Sequence, residues 1–413
     1  MSRLCLPPCA AYPAAYKLLL ATLIQAMLLA SFLAATLSAQ FAIGLADRHL
    51  ENRSGRGAPA IPCSIVYPAV ESGVDQPVLS RPGGRACIVF LHGYGRWGAE
   101  YYNLALALAE RGFVVVLPNS GQFSLDELFD HGLALSSALR IAATTPGHLL
   151  EDKLDLTRLG LVGHSYGGTT CARVLASDTS YRAGVAIAPV FVDDAVRNAR
   201  LPFAVLHGTG DSLIPWRDGD QVYRSATSYR EAKVFVRLAE AAQHLNVAGM
   251  ELASDDDRRV WARCASILGG FLLRFVDDES AALREALGPA TRNDALVFDL
   301  RSEIDQAQVF ALGPARSGRT FDAAIAAEPG PFVLALGFAR ADIPTPFGAL
   351  GLDPSTLLVI AGGSIGTAKY SAVPLVTPSD PRFIGYDFGL QALAMRARVG
   401  LRFSEATWIT IER

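Results

Sequence analysis

Residues 159–176 read LGLVGHSYGGTTCARVLA. A short β-rich run at 159–162 leads directly into Gly163-His164-Ser165-Tyr166-Gly167, and the spacing from 169 onward is helical. A G-x-S-x-G segment between a strand and a helix is a tight turn. It requires small residues at both ends and holds its serine in a strained backbone conformation. The serine Oγ then stands exposed above a sheet, at a helix N-terminus. In a chain with 37 glycines the bare pattern carries little weight. Its place between strand and helix distinguishes it from a glycine-rich packing turn.

Outward from this turn, residues 60–275 alternate apolar runs with amphipathic stretches. Runs at 86–91, 113–117, 183–188, 203–206 and 233–238 are strand-like, and 101–111 and 257–275 have helical spacing. Such alternation predicts an α/β fold, a doubly wound and mostly parallel sheet with helices on both faces. Ser254 and the triplet Asp255, Asp256, Asp257 open the last helix, where they suit its cap and dipole. A calcium site is the alternative there.

The pattern changes near Asp277. A charged stretch broken by Gly288-Pro289 reads as helix end and linker. Beyond it 295–300, 308–312, 332–338, 356–360 and 407–411 are strand-like, and only 386–398 hints at a helix. This predicts a catalytic domain over 40–285 and a smaller β-rich accessory domain, a sandwich or barrel, over 290–413. The length of 413 residues suits such a division.

The amino terminus has a different character. Arg3 and Lys17 are the only charges before Asp47, and residues 18–37 are apolar. Residues 1–39 therefore read as a signal peptide with cleavage before Gln40, or as an uncleaved membrane anchor, since the run is about as long as a bilayer core. Either reading places the rest of the chain outside the cytoplasm, secreted or periplasmic. Cys63, Cys87, Cys171 and Cys264 then permit two disulfides in three pairings, or remain buried free thiols. No Cys/His cluster has zinc spacing, so neither a metal nor a cofactor is expected. With 37 basic and 40 acidic residues, electrostatic binding of nucleic acid is not expected either.

A serine hydroxyl is a poor nucleophile without a base. Of seven histidines, His49, His92, His131 and His148 precede Ser165, His164 lies inside the turn, and His207 precedes the best acid. In the order Ser, Asp, His, this leaves His244, on a loop after the run at 233–238. The acid must orient the imidazole and stabilise its cation. Asp211 follows a β-rich run and Gly208 in LPFAVLHGTGDSLIP, at the sheet edge where ligand and catalytic groups gather. Asp193, Asp194, Asp218 and Asp220 are rivals without that strand-glycine context. An oxyanion needs backbone N–H donors. Tyr166 follows the serine and supplies one. The loop His92-Gly93-Tyr94-Gly95 supplies the other, from Tyr94 or, second, Gly95.

These residues resemble the α/β-hydrolase superfamily. LHGYG at 91–95, RGFVVVLPN at 111–119, LVGHSYGG at 161–168 and LHGTGDSLIP at 206–215 look like the secreted bacterial polyesterase, cutinase and lipase group. The platelet-activating-factor acetylhydrolase and dienelactone-hydrolase-like families lie close by. The resemblance implies a serine hydrolase of carboxylic esters acting through an acyl-enzyme on a lipid, small ester or polyester, with Tyr94 lining the acyl site. It departs where Tyr166 replaces the usual Met and in the loop at 119–131. A prolyl-peptidase-like enzyme and a non-catalytic binding protein on the same scaffold are the alternatives.

Only 45 residues separate Ser165 from Asp211 and 32 separate Asp211 from His244. Strands and crossovers fill such intervals, which leaves no room for a helical cap. An open cleft is expected, lined by Tyr94, Tyr166 and Phe191. The family does not account for 290–413, for which surface or polymer contact is one reading and packing the other.

Overall fold

Strands covered on both faces carry apolar residues at successive rather than alternate positions, and the runs read above become such strands. The computed structural model describes residues 41–119, 125–192 and 195–413; the segment 1–39 expected as signal or anchor, and Asp193 and Asp194, lie outside the described residues. The chain begins with β1 (Ala42–Glu51), β2 (Ala60–Ala69) and the short β3 (Gly73–Val74). β4 (Arg85–Leu91), α1 (Tyr102–Ala109), β5 (Val114–Pro118), α2 (Leu125–Thr144) and β6 (Leu154–His164) follow. Next come α3 (Tyr166–Ser177), β7 (Tyr181–Ile187), β8 (Phe203–Gly208), α4 (Trp216–Ser225), β9 (Ala232–Leu238) and α5 (Asp255–Phe275). The short α6 (Leu283–Leu287) and α7 (Pro289–Arg292) lead to β10 (Val297–Ile304).

These ten strands form one sheet in the order β10-β9-β8-β7-β6-β4-β5-β2-β1-β3. Pairing is parallel from β9 to β5, and β10 and β2 join antiparallel at either side. All seven residues of β4 and all five of β5 are buried. The winding reverses at β4, which has β5 on one side and β6 on the other. In open α/β sheets ligands bind outside the strand carboxyl ends at such a reversal. This is the α/β-hydrolase arrangement.

The segment expected to start the accessory region instead extends the large sheet. β10 pairs with β9 over Val297–Leu238 to Ile304–Ala232, so the sheet reaches past the boundary expected at 285–290. Lys233 of β9 is buried there. Its Nζ lies 2.9 Å from Glu303 Oε1 on β10 and packs over the rings of Tyr223 and Tyr229.

The remainder is β-rich, with β11 (Gln308–Leu312), β12 (Thr320–Ala326), β13 (Gly330–Gly337), β14 (Arg340–Thr345) and β15 (Gly348–Leu352). It continues with β16 (Leu358–Ile365), β17 (Tyr370–Val376), β18 (Asp387–Arg396), β19 (Gly400–Phe403) and β20 (Thr407–Thr410). Sheets β11-β12-β17 and β16-β13-β18-β19 share an apolar core that includes Phe321, Ile325, Leu334 and Leu390. The helix expected at 386–398 is the strand β18, paired with β13 on one edge and β19 and β20 on the other. Its residues 388–392 are buried in succession, which erases the alternation that marks a strand. The possible disulfides also give way to the second reading, since all four cysteines are free and buried.

Candidate active site

β6 ends at His164, and α3 starts at Tyr166. Ser165 between them has φ 56° and ψ −121°. A non-glycine residue held so costs about 1–3 kcal/mol and persists only where its surroundings fix it. Here Ser165 N–H donates to Ile187 O at 2.9 Å, and Ser165 O accepts from Gly168 and Thr169 N–H at 2.9 and 3.1 Å. A Cβ at Gly163 would lie 2.0 Å from Gly167 O, and one at Gly167 would lie 2.0 Å from Leu91 O. Backbone packs against backbone at both positions, so only glycine closes this turn.

Asp211 follows β8 after a short turn, and His244 lies on the loop after β9. Parallel pairing of β8 and β9 brings both to the same sheet edge. His244 Nδ1 is 2.7 Å from Asp211 Oδ2. The other oxygen, Oδ1, accepts from Leu213 N–H at 3.0 Å and Ile214 N–H at 2.8 Å. Burial alone would raise the Asp211 carboxyl. Hydrogen bonds from His207, His244 and the Ile214 N–H override it and hold the group well below the usual carboxylate range. Of the rivals, Asp218 accepts from Phe191 N–H, and Asp220 pairs with Arg224 and Arg301.

His207 is a residue that sequence order passed over. It is fully buried, with Nε2 3.0 Å from Ile214 O and 3.4 Å from Asp211 Oδ2. A carbonyl only accepts, so Nε2 carries the proton and faces both oxygens. His207 thus supports the carboxylate from the side opposite the backbone donors. Its place four residues before Asp211, near the end of the strand that leads to it, was the available signal.

Ser165 and His244 line one cleft of about 620 Å³ with Gly93, Tyr94, Ser212 and Leu213. Tyr94 is 55% exposed, and its ring meets that of Tyr166 edge-on at 5.3 Å. Tyr166 provides the first N–H of α3, which the helix itself cannot satisfy. The neighbouring Gly93 N–H is engaged by Tyr101 Oη at 3.0 Å. Of the three residues expected to line the cleft only Tyr94 does; Tyr166 and Phe191 are not in its lining, and the Phe191 side chain packs against the main core.

Such an arrangement can activate a hydroxyl through an oriented imidazole. Among the described residues no group of three or more His, Cys, Asp or Glu is placed to hold a metal ion. At the calcium alternative, Asp257 caps α5 through Ser254, while Asp255 and Asp256 pair with Arg258 and Arg259.

Comparison with known proteins finds the following similarities. The chain is 22% identical over 134 residues to cutinase est1 of Thermobifida alba, which covers 32% of this chain and 45% of that protein. It is 24% identical over 165 residues to a bis(hydroxyethyl) terephthalate hydrolase of Streptomyces coelicolor, covering 40% and 52%. The chain thus spans about half the length of the curated relatives it matches. Residues 74–293, more than half of the chain, match the model of a family described as PET hydrolase-like. The chain belongs to the PET hydrolase-like family.

Proposed function

We propose that the protein is an exported serine hydrolase that cleaves carboxylic esters through an acyl-enzyme. The observation that carries the reading is the 2.7 Å contact between Asp211 and His244 in the cleft that holds the strained Ser165. Ser165 Oγ attacks the ester carbonyl as His244 Nε2 takes its proton. Asp211 holds the Nδ1–H tautomer and stabilises the imidazolium. The N–H groups of Tyr94 and Tyr166 receive the oxyanion, each such donor being worth about 2.7–4 kcal/mol. His244 returns the proton to the leaving alcohol, and water then releases the acid by the same steps.

The names of the relatives point to cutin and terephthalate esters, and the exposed ring of Tyr94 suits an aromatic acyl group. Export rests on the sequence of residues 1–39. A polymer or surface contact through 290–413 fits a polyester substrate. The test is labelling of the purified protein by a fluorophosphonate probe, with Ser165→Ala as control, followed by rates on p-nitrophenyl esters of graded length, bis(hydroxyethyl) terephthalate and a polyester film. Labelling that survives Ser165→Ala, or no turnover of any ester, refutes the reading.

A further inference from the structure

His164 sits between Gly163 and Ser165, and its ring is 1% exposed. Its Nε2 lies 2.9 Å from the backbone oxygen of His244, and its Nδ1 lies 2.9 Å from Tyr101 Oη. These contacts fix the protons. A carbonyl only accepts, so Nε2 bears the hydrogen. Burial, and then the neighbouring His244, push the His164 pKa down to about 3. The ring is therefore neutral, with one N–H, and Nδ1 is an acceptor. Tyr101 O–H donates to it, and the same oxygen accepts the Gly93 N–H at 3.0 Å.

One chain of hydrogen bonds thus runs from Gly93 N–H through Tyr101 and His164 to the carbonyl of His244. Three of its members lie in, or next to, a reacting part: Gly93 precedes the oxyanion donor Tyr94, His164 precedes Ser165, and His244 is the base. The packing is close. A Cβ at Gly93 would sit 3.1 Å from Tyr101 Oη and 3.3 Å from Ser165 Cβ. The rings of His164 and His244 have centroids 4.6 Å apart. Tyr101 is fully buried and is held from below by Phe90 at 4.5 Å between centroids.

We infer that Tyr101 and His164 are positioning residues, a buried bridge that holds the oxyanion loop, the nucleophile turn and the histidine loop in one register. The inference rests on the serine-hydrolase reading above. Both residues border the cleft that holds Ser165, yet Tyr101 is 0% and His164 1% exposed, so neither offers substrate appreciable surface and their effect falls on kcat rather than KM.

The experiment compares Tyr101→Phe, His164→Leu, the double variant and His164→Gln on a soluble p-nitrophenyl ester, with thermal unfolding measured alongside. Tyr101→Phe and His164→Leu each lower kcat by about 10- to 100-fold, as expected for slight misplacement of reacting groups. KM stays within about twofold. The double variant is no worse than the worse single one, because the bridge is lost either way. Gln offers an acceptor to Tyr101 and a donor to the His244 carbonyl, so His164→Gln keeps kcat within about threefold of wild type. If His164→Leu does not fold, the near-isosteric Tyr101→Phe and His164→Gln decide. A wild-type kcat in Tyr101→Phe, a change confined to KM, or a lowered melting temperature with unchanged kcat below it overturns the bridge. Fluorophosphonate labelling separates the two failures. An unlabelled wild type refutes the serine-hydrolase reading; a labelled wild type with an unaffected Tyr101→Phe refutes only the bridge.

Discussion

Replacing Asp211 by Asn is the sharpest probe of the proposed chemistry, because the surroundings dictate how the amide must lie. Oδ1 accepts from the N–H groups of Leu213 and Ile214 at 3.0 and 2.8 Å. An amide nitrogen there would face two donors and leave both without an acceptor, at about 1–3 kcal/mol for each stranded group. The Asn oxygen therefore takes that site, and its NH2 takes the place of Oδ2. There it meets His244 Nδ1 at 2.7 Å, with the protonated Nε2 of His207 behind it at 3.4 Å. A donor facing Nδ1 stabilises the tautomer whose proton is on Nε2, and that tautomer cannot take a proton from Ser165. The imidazolium also loses its counter-charge. Both effects act on the same step, and the loss expected in kcat is about 10⁴-fold, or about 5.4 kcal/mol on the barrier. Asn matches Asp in shape, so the fold should survive, with the donor pair beside His207 lowering the melting temperature by a few degrees. The assay is kcat on p-nitrophenyl butyrate at neutral pH, with Ser165→Ala as the floor and circular dichroism as the check on folding. A folded Asp211→Asn protein with kcat within tenfold of wild type would refute the role of Asp211 and move it to another carboxylate.

Acid sensitivity has a predicted sign. The His164 pKa is about 3 in the folded protein against an ordinary 6.5, so below 6.5 the unfolded chain takes up a proton that the folded one refuses. Stability is then lost as pH falls from about 6.5 toward 3; melting temperatures from pH 7.5 to 4.5 should fall less steeply in His164→Gln, and equal slopes would exclude this contribution. Truncation after residue 285 removes β10, exposes the edge of β9 and strips buried Lys233 of Glu303. Such a fragment should aggregate, and a soluble, active one detected by size-exclusion chromatography would make β10 dispensable. Interfacial activation should be absent: between Ser165 and Asp211 the described residues form α3, β7, one short 3-10 turn and β8, and between Asp211 and His244 they form α4 and β9. A sharp jump in rate as a short-chain ester passes its solubility limit would show a mobile cover over the cleft.

The turn around Ser165 was legible because its geometry narrows residue type at each position. A Cβ at 163 or 167 would lie 2.0 Å from a backbone oxygen, so only glycine fits at either position, and the strand and helix on either side have their own periods. Asp211 and His244 were legible for another reason: parallel strands deliver successive loops to one sheet edge, so chain order maps onto place. Burial on both faces removes that kind of signal. β18 lies in the middle of its sheet, and its Leu, Ala and Met residues are good helix formers. Pairing along both edges overrides their preference. α2 was missed on opposite grounds. Gly132, Ser136 and Ser137 weaken its helical signal, yet small residues let it pack closely against α3, where a Cβ at Gly132 would lie 2.6 Å from Val174 Cγ2.

The supports of the site are harder to read than its reacting groups. His207 could be found, since it lies on the strand that leads to Asp211, four residues before it. The bridge through His164 could not. Tyr101 is 63 positions from His164 and joins it only because β4 and β6 are neighbours in the sheet, so that the turn after β6 faces the loop that follows β4. The far end of the bridge is the backbone oxygen of His244. Any residue at 244 presents that oxygen, so no side-chain choice there encodes the contact. Reactive groups are constrained by their chemistry and leave a trace in residue type. Groups that hold them through main-chain atoms are constrained by place alone, and place is known only once the strands are paired.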